Sequence, residues 1–289
     1  MSALLRLKEA DRHTIILCGM SAGFSALFGT PMAAAVFAME VITVGLIRYS
    51  ALVPCVTAAM VTQFVAKALQ VPPETFLLTG LPVMGVPVFL KTILFAALAG
   101  LVSILFCQVL HKLDHLYDHF FANPYVRIGV AGVLVAGLSL IPGFGIYLGS
   151  GMGIIEDIFH HHGGADWYSF LLKMLFTALT LGAGFKGGEI VPSFCIGAAF
   201  GCAVAGLLGL PAELAAACGM VGVFCGVTNC PIASLLIAFE LFGYEGMPYF
   251  LVTVAVSYLV SGYSSLYSTQ KILQSKTEAD LSHDSIKQE

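Results

Sequence analysis

The sequence predicts an all-α integral membrane protein built from many hydrophobic helices, several of them broken. Three observations carry that expectation: an extreme composition, apolar stretches of helix length along the whole chain, and a duplicated segment whose breaks fall at matching places. Hydrophobic residues make up 58% of the 289 and charged residues 10%, with a mean hydropathy of +0.92. A soluble globular chain carries about 25% charged residues. Water is therefore not the solvent for most of this surface, and a soluble protein with one buried core is excluded. The opening residues mix Arg6, Lys8 and Arg12 with Glu9 and Asp11, and no small-residue cleavage site follows, so they lack the layout of a signal peptide. The helices themselves are expected to direct insertion, and the protein is placed as a multi-pass protein of a cell membrane.

Apolar segments run over about 13–29, 31–47, 49–69, 88–113, 125–142, 167–182, 190–209, 211–228, 231–243 and 247–263. A full crossing needs roughly 20 mainly apolar residues, and several segments are shorter. Breaks at Gly29-Thr30-Pro31, Gly187-Gly188 and Asn229-Cys230-Pro231 predict helices that end inside the bilayer. Backbone that stops at depth must be covered by protein or line a cavity, because lipid cannot satisfy its N–H and C=O groups. The residues after Lys271 form a polar tail too short for a further folded domain.

The strongest internal evidence is a repeat. Cys18-Gly19-Met20, Phe24, Pro31, Ala33, Ala38 and Glu40 recur without a gap as Cys218-Gly219-Met220, Phe224, Pro231, Ala233, Ala238 and Glu240. Eight identities in 23 positions, with proline and glutamate both in register, favour duplication over shared apolar composition. Duplicated halves with interrupted helices characterise transporters, whose ion sites lie where half-helix ends converge. The spacings Gly19/Gly23 and Gly197/Gly201 suggest close helix packing.

Several function classes drop out. A net charge of -4 with no basic cluster gives no footprint for nucleic acid. The eight cysteines lie in apolar stretches without CxxC spacing and read as small hydrophobes. His160-His161-His162, near Glu156 and Asp157, cannot all face one ion from a helix, and Gly163-Gly164 follows, so the reading is a solvated loop and no metal site. No Ser/His/Asp arrangement, HExxH or phosphate loop occurs, and neither an enzyme nor a cofactor is expected.

The most unusual stretch is Gly182-Ala-Gly-Phe-Lys-Gly-Gly-Glu-Ile-Val-Pro192. Pro192 suits the first turn of a helix. If that helix begins near Glu189, the amides of Glu189, Ile190 and Val191 point out of its positive end, and Gly187 and Gly188 let an anion approach the backbone. The alternative is an ordinary helix start with Lys186 paired to Glu189. Glu40 and Glu240, at matching repeat positions, read either as structural carboxylates or as proton carriers.

These residues resemble the CLC family of chloride channels and transporters. Gly187-Gly188-Glu-Ile-Val-Pro192, followed by Phe194 and Gly197-Ala198, is similar to that family's motif of two glycines, a hydrophobic pair, proline and a downstream Gly-Ala. Gly29-Thr-Pro-Met-Ala-Ala-Ala-Val-Phe-Ala-Met-Glu40 resembles its Asn-Ala-Pro-Leu-Ala-Gly run ending in glutamate, with Asn229-Cys-Pro-Ile-Ala-Ser-Leu-Leu-Ile-Ala-Phe-Glu240 as the second-half counterpart. Leu266-Tyr267-Ser268 resembles the closing segment that presents a pore tyrosine, and the motifs follow the family's order over about 10–270.

The resemblance implies a transmembrane domain over 1–270 with a polar tail over 271–289, arranged as an inverted-repeat helical bundle with broken helices. It implies a homodimer in the lipid bilayer with one anion pore per subunit. The amides of Glu189 and Ile190 would donate to the anion, and the Tyr267 hydroxyl would donate from the other side. Neutral donors allow binding with fast exit, which conduction requires. The family's upstream anion-binding and gating motifs fall before residue 1, so half of the ion site and independent activity are in question. Val41 stands where family antiporters often have a second acid, as in channels and in the fluoride-exporting subgroup. Phe185-Lys-Gly-Gly-Glu-Ile190, with Glu189 in place of a hydrophobic residue, resembles the fluoride subgroup, and Tyr263 fits as an additional aromatic near the site. The expectation is chloride conduction or transport, with fluoride/proton exchange and a non-conducting fragment as rivals.

Overall fold

A computed structural model describes residues 9–160, 165–267, 269–273 and 275–276 of the chain. It divides into two compact units, residues 1–74 with 267–289 and residues 75–266. Helices dominate both, as the composition dictates.

The first unit holds α1 (Glu9–Phe28), α2 (Pro31–Glu40) and α3 (Leu52–Ala68). Two hydroxyls tie α1 to α3: Ser21 Oγ donates to the Cys55 carbonyl and Ser25 Oγ to the Ala59 carbonyl, each at 2.9 Å. Between apolar helices, such small residues permit close approach and supply hydrogen bonds where hydrophobicity gives no preference. Leu17 of α1, Ala35, Ala38 and Met39 of α2, and Ala51 and Cys55 at α3 form one buried cluster. The apolar segment 31–47 breaks earlier than hydropathy indicates. After Glu40 the chain leaves the helix, and Thr43–Val44 forms β1, paired in parallel with β2 (Lys271–Ile272). Thr43 and Val44 are β-branched and suit extended backbone better than helix. The residues expected to open the polar tail therefore begin as a paired strand.

The second unit holds α4 (Val86–Phe120), α5 (Pro124–Ser139), α6 (Met152–His160), α7 (Ser169–Gly182), α8 (Ile190–Leu208), α9 (Ala212–Thr228), α10 (Pro231–Phe242) and α11 (Met247–Val260). Hydropathy ends the fourth segment at 113, yet α4 runs on to Phe120. The extension is amphipathic: Tyr117 is buried with Ala131, Leu179 and Ala183, while Leu113 and Phe121 pack against that cluster at helical spacing. An α-helix rises about 1.5 Å per residue, so 35 residues outreach a bilayer core of about 30 Å. His160, expected in a solvated loop, instead ends the short helix α6, with its ring 5.5 Å from the Phe76 ring. His161 and His162 lie outside the described residues.

Glycine sets the packing of α8 on α9. A Cβ at Gly197 would overlap the Gly219 carbonyl and lie 2.7 Å from Met220 Cα; at Gly201 it would overlap the Ala215 carbonyl and lie 2.6 Å from Ala216 Cα. The expected close packing of this glycine pair is present. At Gly19 and Gly23 the added atom would meet nothing within 4 Å. Two further glycines of α9 are also closely approached, with Ser257 Oγ donating to the Gly222 carbonyl at 2.7 Å and the Ser103 side chain filling the place of a Gly226 Cβ.

The repeat is visible in the backbone. Gly29 and Asn229 both adopt the left-handed conformation, at φ 71° and 58°. Thr30 and Cys230 follow at φ/ψ −114°/75° and −116°/76°, and each is succeeded by proline at the start of the next helix. Two stretches 200 residues apart thus break by the same local device.

The glycine seam yields a testable pair. Gly201→Ala should lower stability by about 1–3 kcal/mol through backbone overlap, read as a lower unfolding temperature in detergent. Gly206→Ala, where an added Cβ meets nothing within 4 Å, should be neutral or stabilising by up to ~1 kcal/mol.

Candidate functional site

The candidate site is the break between α7 and α8. Helix α7 ends at Gly182 with Ala183 as its cap, and Gly184 turns the chain in the left-handed region at φ 95°. That glycine N–H donates to the Leu181 carbonyl at 2.9 Å. Phe185, Lys186, Gly187 and Gly188 then run exposed and without regular structure to Glu189, where α8 begins. Gly182 itself rests on α4, where a Cβ would lie 3.1 Å from the Asp114 nitrogen.

The first turn of α8 leaves its donors open. Ser193 N–H donates to the Glu189 carbonyl at 3.1 Å, and Ser193 Oγ donates to the Ile190 carbonyl at 2.6 Å. Pro192 has no N–H to place. Among the described residues no acceptor takes the N–H of Glu189, Ile190 or Val191. These three half-buried residues follow two exposed glycines, and an added Cβ at Gly188 would meet nothing within 4 Å. A helix N-terminus with unused N–H groups carries partial positive charge and is suited to an anion. Glu189 makes no side-chain capping bond to this turn, and no ion pair joins it to Lys186. The ordinary helix start with a Lys186–Glu189 pair is thus not what forms.

Gly187, Gly188, Glu189, Ile190 and Val191 are therefore gathered in one junction, while the other sequence-indicated residues stand on separate segments. Tyr263, half exposed, follows α11 in the second unit. Glu40 is buried at the end of α2, in the first unit. Tyr267 also belongs to the first unit, where its carbonyl accepts from Gln270 N–H at 3.1 Å. Gln270 Nε2 in turn donates to the Val41 carbonyl at 2.7 Å, and the Lys271 and Leu273 N–H groups donate to Ile42 and Val44. These bonds fix the chain immediately after Tyr267.

A family described as voltage gated chloride channel matches residues 1–262. The chain belongs to the CLC family. Its helices include three long and apolar enough to cross a membrane by length and composition, α4 and α8 among them. It is a multi-pass membrane protein of that anion-transporting family. It is 38% identical over 286 residues to a chloride/fluoride channel protein of Pseudomonas syringae pv. tomato, covering 96% of this chain and 62% of that protein. A crystallised CLC-type fluoride/proton antiporter superposes with a TM-score of 0.86 at 35% identity, over 90% of this chain and 65% of the antiporter. An H(+)/Cl(-) exchange transporter ClcA of Vibrio campbellii is 23% identical over 82% of this chain and 54% of its own length. The chain thus spans less than two thirds of the length of these relatives.

Two cations escaped the sequence reading. Lys173 of α7, 1% exposed, donates from Nζ to the carbonyls of Tyr147 at 3.0 Å and Gly149 at 2.7 Å. Arg127 of α5 donates from Nε to the Ala183 carbonyl at 3.0 Å and pairs with Asp118. Each sits within an apolar segment, where a charge is expensive and calls for a partner. That signal was available in the sequence.

The bonds around Tyr267 give a local prediction. Gln270→Ala should raise amide hydrogen exchange at Lys271 and Leu273 and cost about 1 kcal/mol, measured by exchange mass spectrometry with thermal unfolding. Unchanged exchange would show that the Val41 bond does not hold this segment.

Proposed function

We propose that this chain carries the anion path of a fluoride-transporting CLC protein that exchanges the anion for protons. The observation that supports it is the set of three open N–H groups at the start of α8, reached over Gly187 and Gly188. Fluoride is small and strongly hydrated, so a site must replace its water with short, strong hydrogen bonds. Backbone N–H groups at a helix N-terminus supply these, and being neutral they also let the ion leave. In this reading Gly187 and Gly188 give access and Glu189, Ile190 and Val191 donate, with the Tyr267 hydroxyl a further donor that the family resemblance implies.

Glu189 stands at the same junction and is assigned the proton exchange, with Tyr263 and Glu40 as further candidates along the ion or proton route. The names of the two relatives at 38% and 35% identity support fluoride as cargo. Val41 in place of a second acid after Glu40 accords with it. Residues 1–270 act as one transport domain and the residues from 271 as its tail. Transport, not catalysis, is the role, without a cofactor or nucleic acid. The working assembly is a homodimer in lipid. Passive chloride conduction is the second reading, favoured by the double designation of the Pseudomonas relative.

Efflux from liposomes holding the purified chain, followed with fluoride, chloride and pH electrodes in parallel, tests this. Fluoride efflux faster than chloride, with protons moving the opposite way, is expected, and Glu189→Gln should slow it about a hundredfold. Chloride efflux without proton movement would establish the second reading. Folded protein that moves neither ion would overturn both.

A further inference from the structure

We infer that Arg127 is a positioning residue for the anion loop: its guanidinium, braced by Asp118, fixes the end of α7 from which Gly184–Val191 departs. This inference rests on the anion-site reading of that loop. Arg127 is the fourth residue of α5, with a side chain only 18% exposed. One face of the fork pairs with the carboxylate of Asp118, in the last turn of α4. On the other side, Nε donates to the Ala183 carbonyl at 3.0 Å. Nη2 lies over Gly184, where an added Cβ would stand 3.0 Å from it.

Three physical consequences follow. The Ala183 carbonyl belongs to the set that a helix C-terminus leaves without an internal partner, and a cation there satisfies both the hydrogen bond and the negative end of the dipole. Gly184 is confined twice, by the left-handed turn and by the guanidinium above it. The planar fork can hold Asp118 and Ala183 at once, which a single ammonium on a flexible stem cannot do with the same geometry.

Further contacts carry the constraint along the loop. An added Cβ at Gly132 of α5 would lie 3.7 Å from the tip of the Phe185 ring, so α5 touches the loop one residue beyond the Arg127 anchor. Gly187 lies against Leu181, whose Cδ2 would stand 3.1 Å from an added Cβ. Below these contacts Ala131, Leu179, Ala183 and Tyr117 pack into one buried cluster, so α4, α5 and the end of α7 form a single platform. The donors of Glu189, Ile190 and Val191 start five residues after Gly184. Holding the loop in place before the ion arrives removes an ordering cost from binding, and this is how Arg127 acts without touching the anion.

The test uses the purified full chain, with sodium fluoride and sodium chloride titrated by calorimetry and hydrogen exchange followed over Gly184–Val191. Arg127→Gln should weaken fluoride binding about tenfold, the scale of one net hydrogen bond to a charged group, and should accelerate exchange at Gly187–Val191. Arg127→Lys should recover part of both, and Asp118→Asn should shift both in the same direction by less. Should Arg127→Gln fail to fold, these two milder variants decide the question alone. A lower unfolding temperature with affinity and loop exchange unchanged would reduce Arg127 to a structural clamp and overturn the inference. If the unaltered chain binds neither anion, the anion-site reading fails. Loop exchange still decides the role of Arg127: faster exchange in the variants supports it, and unchanged exchange overturns it.

Discussion

A helix that stops inside a bilayer leaves up to four carbonyls at one end and four N–H groups at the other without internal partners, and lipid offers none. Much of this chain is organised by that constraint. At the α7–α8 break the two ends are treated oppositely. At the carbonyl end Ala183 accepts from Arg127 and Leu181 accepts from Gly184. The N–H end is left open at Glu189, Ile190 and Val191, beside two exposed glycines. A helix start with open N–H groups is the kind of end suited to an anion.

The break after α9 has partners within the protein. After α9, the Val227 carbonyl accepts from Leu266 N–H at 3.0 Å, and Asn229 Nδ2 donates to the Ser264 carbonyl at 3.0 Å. Ser264 and Leu266 are thereby fastened to the end of α9. Lys173 does similar work for the turn before α6, where a Cβ at Gly151 would crowd both its Cε and Cys195 Sγ. Such buried polar bonds are costly to leave half made, so each fixes a loop in one position.

Much of this was legible in the sequence. Composition implied the membrane, and the 200-residue register of Pro31 with Pro231 and Glu40 with Glu240 marked two equivalent breaks, now matched in φ and ψ. The glycines at 187 and 188 marked the junction before α8. What periodicity could not supply was tertiary: the polar end of α4 is helical because Tyr117 packs beside Ala131 and Leu179, and Thr43–Val44 leaves the helix to pair with residues 228 positions away. The partner of Arg127 is equally non-local, 56 residues on at Ala183, and a lone arginine in an apolar run shows only that some partner must exist.

The central claim is that backbone N–H groups at the start of α8 hold the anion, and a backbone ester tests it without altering a side chain. Replacing Val191 by its α-hydroxy acid converts the Ile190–Val191 amide to an ester and removes one donor from the junction. Fluoride affinity of the purified chain, measured by calorimetry, is expected to fall about tenfold or more, with the unfolding temperature only slightly lowered, because no helix bond uses that N–H and the ester merely weakens the Ile190 carbonyl that accepts from Ser193 Oγ. Unchanged affinity for both fluoride and chloride would contradict an anion site at this helix end.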